Sequence, residues 1–264
     1  MADAAPRRYL AIGAIAGLAG GLLGVGGGFL MVPLQMLWTA TPPRRAAGNS
    51  LAAIVPIAVV AAAIYYFGGG RPQLDLTVAL WVMIGSSAGS LVGSALAPMA
   101  PDRVLRVLMI VLLLAGAAKE AHDALVTGAV QGGGPSGFDV LHSFLLALAG
   151  FAIGCISGLT GVGGGILLVP TLVLAFGVGQ RIAQGTSLVA ILPTAAIGAA
   201  VHLRHKDLEP SAATRLAVGG VPASVVGALL AQWLPQRVLA GLFGVLLLAM
   251  AVRLWGARTP EAGA

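Results

Sequence analysis

Charge is what this chain has least of. Only 9% of its 264 residues are Asp, Glu, Lys or Arg, against roughly 25% in a soluble domain that must face water. A soluble globular protein is thereby excluded. Alternating apolar and polar strands are missing, which excludes a transmembrane β-barrel. The single cysteine, Cys155, leaves no internal disulfide and reads as a small packing residue in an apolar context. Acidic residues are absent from the middle of every hydrophobic run: Asp75, Asp102, Asp123, Asp139, Asp207 and Glu209 stand at run ends or in loops. A cation pathway normally needs intramembrane carboxylates or carbonyl rings. Arg and Lys are missing from the run centres too, so an anion would have to rely on amides, hydroxyls and dipoles. No His, Cys or carboxylate cluster has ligand spacing, so no metal, no cofactor and no enzyme activity are expected.

What is present is apolar. Hydrophobic residues make up 58% of the chain, mean hydropathy is +0.96, and runs of roughly 20 apolar residues recur, the length of a membrane-spanning helix. The fold class expected is an all-α polytopic membrane protein. The net charge of +6 and pI near 10.4 do not point to nucleic acid, because basic residues stand singly or in pairs at run ends. That is the placement of topology determinants beside anionic lipid. Arg7 and Arg8 before apolar 9–23 imitate a signal peptide, but the same segment recurs after Asp139, so the N-terminus is expected to be retained.

The chain is written twice. Residues 17–56 align without a gap on 154–193, at an offset of 137, with 20 of 40 positions identical. The shared phrase is Gly24-Val25-Gly26-Gly27-Gly28 followed by Leu30, Val32 and Pro33, and Gly161-Val162-Gly163-Gly164-Gly165 followed by Leu167, Val169 and Pro170. Later segments align at an offset of 134, as in Pro101 to Leu105 with Pro235 to Leu239. Two transmembrane repeats, 1–120 and 139–264, are expected, joined by a polar linker at 121–138 containing Gln131-Gly132-Gly133-Gly134-Pro135.

Each repeat predicts three uninterrupted spans: about 46–67, 76–97 and 103–118, then about 183–203, 212–233 and 237–252. Its opening segment is broken by the glycines. As helices, 9–23 is about 22 Å long and 29–40 is shorter, while a hydrocarbon core is about 30 Å thick. A re-entrant hairpin is expected, with its turn at depth against protein or a water-filled cavity. With three crossings per half the halves are inverted, and Lys and Arg divide 11 to 4 between the two sides; four crossings per half give 9 to 6. The positive-inside rule favours the inverted arrangement with both termini cytoplasmic. Gly13, Gly17 and Gly21, Gly150, Gly154 and Gly158, and Gly85, Gly89 and Gly93 have the spacing of close helix packing.

Paired interruptions at matching places in two hydrophobic halves point to a transporter's binding site. Consecutive glycine amides can converge on one point, and a half-helix starting there adds the positive end of its dipole. Gly26, Gly27 and Gly28 with Gly163, Gly164 and Gly165 are therefore candidate ligands of a small anion. Gly48-Asn49-Ser50 and Gly185-Thr186-Ser187 follow the two breaks, beside Gln184, and Asn49, Ser50, Thr186 and Ser187 are candidate donors. Helix capping explains those four equally well. Nucleotide-binding glycine loops do not fit, because Phe29 and Ile166 replace the last glycine and no Gly-Lys-Ser/Thr follows.

On Gly24 to Pro33, Gly161 to Pro170 and the Gly-x-Ser-Leu segments after them, the chain resembles the sulfite exporter TauE/SafE family, over nearly its whole length. The resemblance implies a bacterial inner-membrane permease for sulfite, sulfonates or related organic acids, with a proton or ion as possible coupling partner. It implies that Gly26 to Gly28 and Gly163 to Gly165, with Asn49, Ser50, Thr186 and Ser187, meet the substrate. Asn49 against Thr186, and Ser157 and Thr160 against Gly20 and Leu23, are departures from symmetry. An anion channel, and a non-transporting scaffold or assembly factor, remain alternatives. Exact substrate, direction and oligomeric state are not legible.

Overall fold

The computed structural model describes residues 4–68, 72–96, 114, 140–160, 163–235 and scattered residues between 238 and 252. Among them are eight helices and no strand: α1 (Ala4–Leu23), α2 (Gly28–Trp38), α3 (Pro43–Phe67), α4 (Leu76–Leu96), α5 (Val140–Thr160), α6 (Gly165–Phe176), α7 (Gln180–Arg204) and α8 (Pro210–Trp233). Five stretches are long and apolar enough to cross a membrane: Arg44–Phe67, Leu76–Gly93, Val140–Gly158, Gln180–Arg204 and Pro210–Trp233. The expected span 103–118, most of 237–252 and the linker 121–138 lie outside the described residues.

One expectation is corrected. The helix before the first break has 20 residues, about 30 Å at 1.5 Å per residue, and its counterpart α5 has 21. Neither is a short half-helix. The apolar stretch begins at Tyr9, whereas the helix also takes in Ala4, Ala5, Pro6 and the two arginines. Proline is tolerated in a first turn because its missing N–H has no helical acceptor there. Only α2 and α6, with 11 and 12 residues, are short.

The chain nevertheless returns to where it started. Arg8 Nη1 donates to the Trp38 carbonyl at 2.7 Å, and Tyr9 Oη lies 3.0 Å from Thr41 Oγ1. So α1 and α2 form an antiparallel hairpin whose base is one end of the bundle and whose turn is inside it. The second hairpin is built alike: Leu146 on α5 and Phe176 on α6 line one small apolar crevice, and further in Ser157 lies against Gly164.

Helix pairing maps onto itself when the halves are exchanged. α1 packs most extensively on α8 and α4 on α5, and α3 packs on both α7 and α8 as α7 packs on α3 and α4. Glycines make the two largest contacts. A Cβ built on Gly13, Gly17 and Gly21 would lie 2.2–2.3 Å from the carbonyl oxygens of Leu216, Gly220 and Ser224. On Gly85, Gly89 and Gly93 it would lie 1.9–2.1 Å from those of Ala147, Phe151 and Cys155. Both registers advance by four on each helix, so α1 and α8 are parallel, as are α4 and α5. Backbones that touch leave no room for side chains, as small-residue packing in lipid requires. α3 and α7 are antiparallel, with Gly48 against His202 and Gly185 against Tyr65.

Candidate functional site

Both glycine turns are buried and they meet. A Cβ on Gly165 would lie 2.6 Å from the Val25 carbonyl oxygen, so the second turn rests on the first. Gly26 and Gly163 both face the Ile54 side chain on α3, and Gly26 also faces Ile191 on α7. Ile54 and Ile191 are themselves a repeat pair, 137 residues apart. Gly24 rests on the backbone of Gln184. Left-handed backbone makes the reversals: φ is 75° at Gly26, 80° at Gly27, 89° at Gly163 and 68° at Gly164, a region that residues with a Cβ seldom enter.

Gly27 and Gly164 are the N-caps of α2 and α6, and neither helix start has a side-chain cap. Leu30 and Met31 donate back to the Gly27 carbonyl, Leu167 and Leu168 to that of Gly164, and Gly165 to that of Gly163. The amides of Gly26, Gly27, Gly28, Phe29 and Ile166 find no acceptor among the described residues. Buried backbone donors are almost always paired. Five unpaired ones around two touching turns, at the positive ends of two helices, make an environment for an acceptor-only group.

The polar residues after the breaks divide into two sets. Asn49 Oδ1 accepts the Glu209 amide at 2.8 Å, at the start of α8, and Thr186 Oγ1 accepts the Asp75 amide at 2.9 Å, at the start of α4. Each thus ties down the first turn of the last described helix of the other half. Asn49 and Thr186 serve one purpose with different side chains, since each supplies a single acceptor. Ser50 accepts from Gln35 Nε2 at 2.9 Å, and Gln35 Oε1 accepts from Asn49 Nδ2 at 3.2 Å. Gln35 is fully buried and joins α2 to α3, a hub that sequence reading passed over because a lone Gln in an apolar run carries no motif.

In the second half Leu172 stands at the place of Gln35, 137 residues on. Ser187, the partner of Ser50, is fully buried and its Oγ has no hydrogen bond. Ser157 Oγ is likewise buried and unpaired, 3.4 Å from where a Cβ on Gly164 would be. On α7 Ser187 stands three residues after Gln184 and four before Ile191, so all three share the face that meets the first turn. The structure therefore brings Gly26, Gly27, Gly28, Gly163, Gly164 and Gly165 together with the unpaired hydroxyl of Ser157 against Gly164, and the unpaired hydroxyl of Ser187 belongs to the α7 residues between Gln184 and Ile191. The structure commits Asn49, Ser50 and Thr186 to helix connections.

The model of the family described as Sulfite exporter TauE/SafE matches residues 2–120 and 146–263, which include both glycine turns. The chain belongs to that family. It is accordingly a multi-pass membrane transport protein. Among its relatives, the probable membrane transporter protein YunE of Bacillus subtilis is 27% identical over 211 residues, 73% of this chain and 76% of the relative. A probable membrane transporter protein of Xylella fastidiosa (strain Temecula1) is 34% identical over 101 residues, 38% of this chain and 39% of the relative. No solved structure matches the chain.

Proposed function

We propose that this protein carries small sulfur-containing anions, such as sulfite or organosulfonates, by alternating access at a site between the two glycine turns. The observation that carries the reading is the meeting of two buried, uncapped turns whose amides lack acceptors. A neutral donor cage suits an anion in transit. A fixed charge at the centre of a membrane costs roughly 2.5–3.5 kcal/mol, whereas amides and hydroxyls bind without that standing cost and release their guest readily. The ligands in this reading are the unpaired amides of Gly26, Gly27, Gly28, Phe29 and Ile166, on turns shaped by Gly163, Gly164 and Gly165, with the hydroxyls of Ser157 and Ser187. Asn49, Ser50 and Thr186 act at one remove, by holding the helices that frame the site.

In the same reading the halves are inverted and the hairpins re-entrant, despite the length of α1 and α5. Supporting this, the chain leaves each hairpin at the end where it entered. Arg8, Arg44, Arg45, Arg204 and Lys206 cluster at the base of the first hairpin, and Arg181 lies at the opposite end. With positive residues inside, both termini are cytoplasmic and the location is a bacterial inner membrane. Ile54, which faces both turns, and Ile191, which faces the first, are the groups whose movement would open the site alternately to each side.

The test is flux of radiolabelled sulfite in proteoliposomes, with and without anion inside. Acceleration by internal anion identifies a carrier, whereas flux that follows the electrochemical gradient alone identifies a channel. Gly27→Leu and Gly164→Leu should abolish flux while the protein still inserts. Undiminished flux in both variants overturns the assignment to the turns, and absence of both flux and binding in the unaltered protein favours a scaffold.

A further inference from the structure

A second cluster of unpaired polar groups begins at the start of α7 and reaches inward to Gln184, whose backbone meets the edge of the first turn at Gly24. Gln180 is 6% exposed, and both its amide oxygen and its amide nitrogen lack partners; Gln184 is fully buried with Nε2 unpaired. Between them on the first turns of α7, Arg181 is half-buried. Its Nη2 donates to the Leu234 carbonyl at the end of α8, but its Nε is buried and unpaired. No carboxylate among the described residues pairs with this guanidinium. Gln73, whose Oε1 is also buried and unpaired, follows Tyr65 on the connection to α4, and its backbone lies against Gly185. The α7 start has no side-chain cap. The amides of Gln180, Arg181 and Ile182 meet no acceptor among the described residues.

A half-buried cation with a buried, unpaired Nε and no counter-ion, beside buried amide groups without partners, is costly unless something supplies negative charge and acceptor oxygens. Glutamine amides can turn their NH2 toward such a group. We infer that Gln180, Arg181 and Gln184, with the free amides of the first turn of α7, form an anion-capture site for a small oxyanion, separate from the site at the glycine turns. The chemistry recognised is a compact group of acceptor-only oxygens, as in a sulfonate, sulfite or the phosphate of a lipid headgroup.

The site belongs to one end of the bundle only. At the repeat positions, which fall at the opposite end of the bundle, Pro43 and Ala47 stand for Gln180 and Gln184, and Asp207 of the second half stands for Gln73 of the first. The positive residue is kept, as Arg44, but Asp207 brings an acid to that end of the bundle, and an acid repels an anion. The capture site also leads inward. Gln180, Gln184, Ser187 and Ile191 succeed one another at steps of four, three and four along one face of α7. Each of the first three is buried with an unpaired polar atom, and the last touches the first glycine turn. Gln184 Oε1 is held by Tyr65 Oη at 3.2 Å, which leaves its Nε2 to act as donor. An anion captured at Arg181 has a row of donors to follow to the turn.

Equilibrium binding of radiolabelled sulfite to the purified full chain tests this, in phospholipid-free detergent and in nanodiscs of phosphatidylcholine or phosphatidylglycerol. The expected result is two equivalents per chain in detergent, of which Gln180→Leu and Arg181→Gln each lose one through binding at least tenfold weaker. Ser157→Ala with Ser187→Ala keeps that equivalent. If the unaltered protein binds one equivalent and both α7 variants none, the capture site stands and the turn site fails. Displacement in phosphatidylglycerol but not in phosphatidylcholine assigns the site to a lipid phosphate. Wild-type stoichiometry and affinity in both α7 variants overturns the inference. A further readout needs no anion: Gln180→Leu should raise the melting temperature, because it removes an unpaired buried amide, and a fall would show that the amide is structurally satisfied and overturn the inference.

Discussion

At the scale of single residues, the repeat separates side chains that hold the fold from side chains left free. Ser50 and Ser187 occupy equivalent places, yet Ser50 is bonded to Gln35 while Ser187, opposite a leucine position, is not. Opposite effects follow for one substitution. Ser50→Ala removes one acceptor of the Gln35 amide, which keeps the Met31 and Ala46 carbonyls, and should cost about 0.5–1.5 kcal/mol of stability, read as a lower melting temperature in detergent. Ser187→Ala should leave stability unchanged or slightly higher. If the hydroxyl donates to a bound anion, its loss removes about 1.5–3 kcal/mol of binding, a rise in KM of roughly ten- to a hundredfold. Flux kinetics in proteoliposomes check the second outcome, and an unaltered KM would remove Ser187 from the site.

At the scale of elements, helix starts are tied from the other half of the chain. The side chain of Asn49 secures the start of α8 and that of Thr186 the start of α4. Loss of one such hydrogen bond costs about 0.5–1.5 kcal/mol, so Asn49→Ala and Thr186→Val should each lower the melting temperature. Asn49→Thr, which restores one acceptor, should recover part of the loss. Glycine seams impose the other constraint on elements. Gly89→Ala would put a Cβ 2.0 Å from the Phe151 carbonyl oxygen, forcing α4 from α5. Overpacking of this kind costs about 1–3 kcal/mol, more than the helix propensity gained over glycine; thermal unfolding measures the balance.

At the scale of the whole molecule, the ends of the bundle carry the topology. Position 8 and the start of α3 lie at one end, and the α3–α4 connection and the start of α7 at the other. Single cysteines in a Cys155→Ala background, labelled with an impermeant maleimide in sealed vesicles, should place Arg8→Cys and Arg45→Cys on one side and Pro72→Cys and Gly177→Cys on the other. Reaction of positions 8 and 45 from opposite sides would mean that the first hairpin crosses the membrane, and the re-entrant reading would fall.

Composition and duplication alone carried much of this. Scarce charge dictated a helical membrane protein, because backbone groups in lipid must bond within their own segment. The doubled glycine phrase marked two turns, because runs of glycine adopt angles that other residues avoid. The family was legible in the same residues. Tertiary structure decided where the turns meet, that Asn49 and Thr186 brace helices of the opposite half, and that Ser157, Gln180 and Arg181 carry unpaired groups. It also lengthened α1 beyond the apolar stretch that marks it in sequence. These facts depend on what stands across a contact, and a donor is paired or free according to a neighbour that can lie more than a hundred residues away. Local chemistry wrote the list of polar groups, and packing assigned their partners.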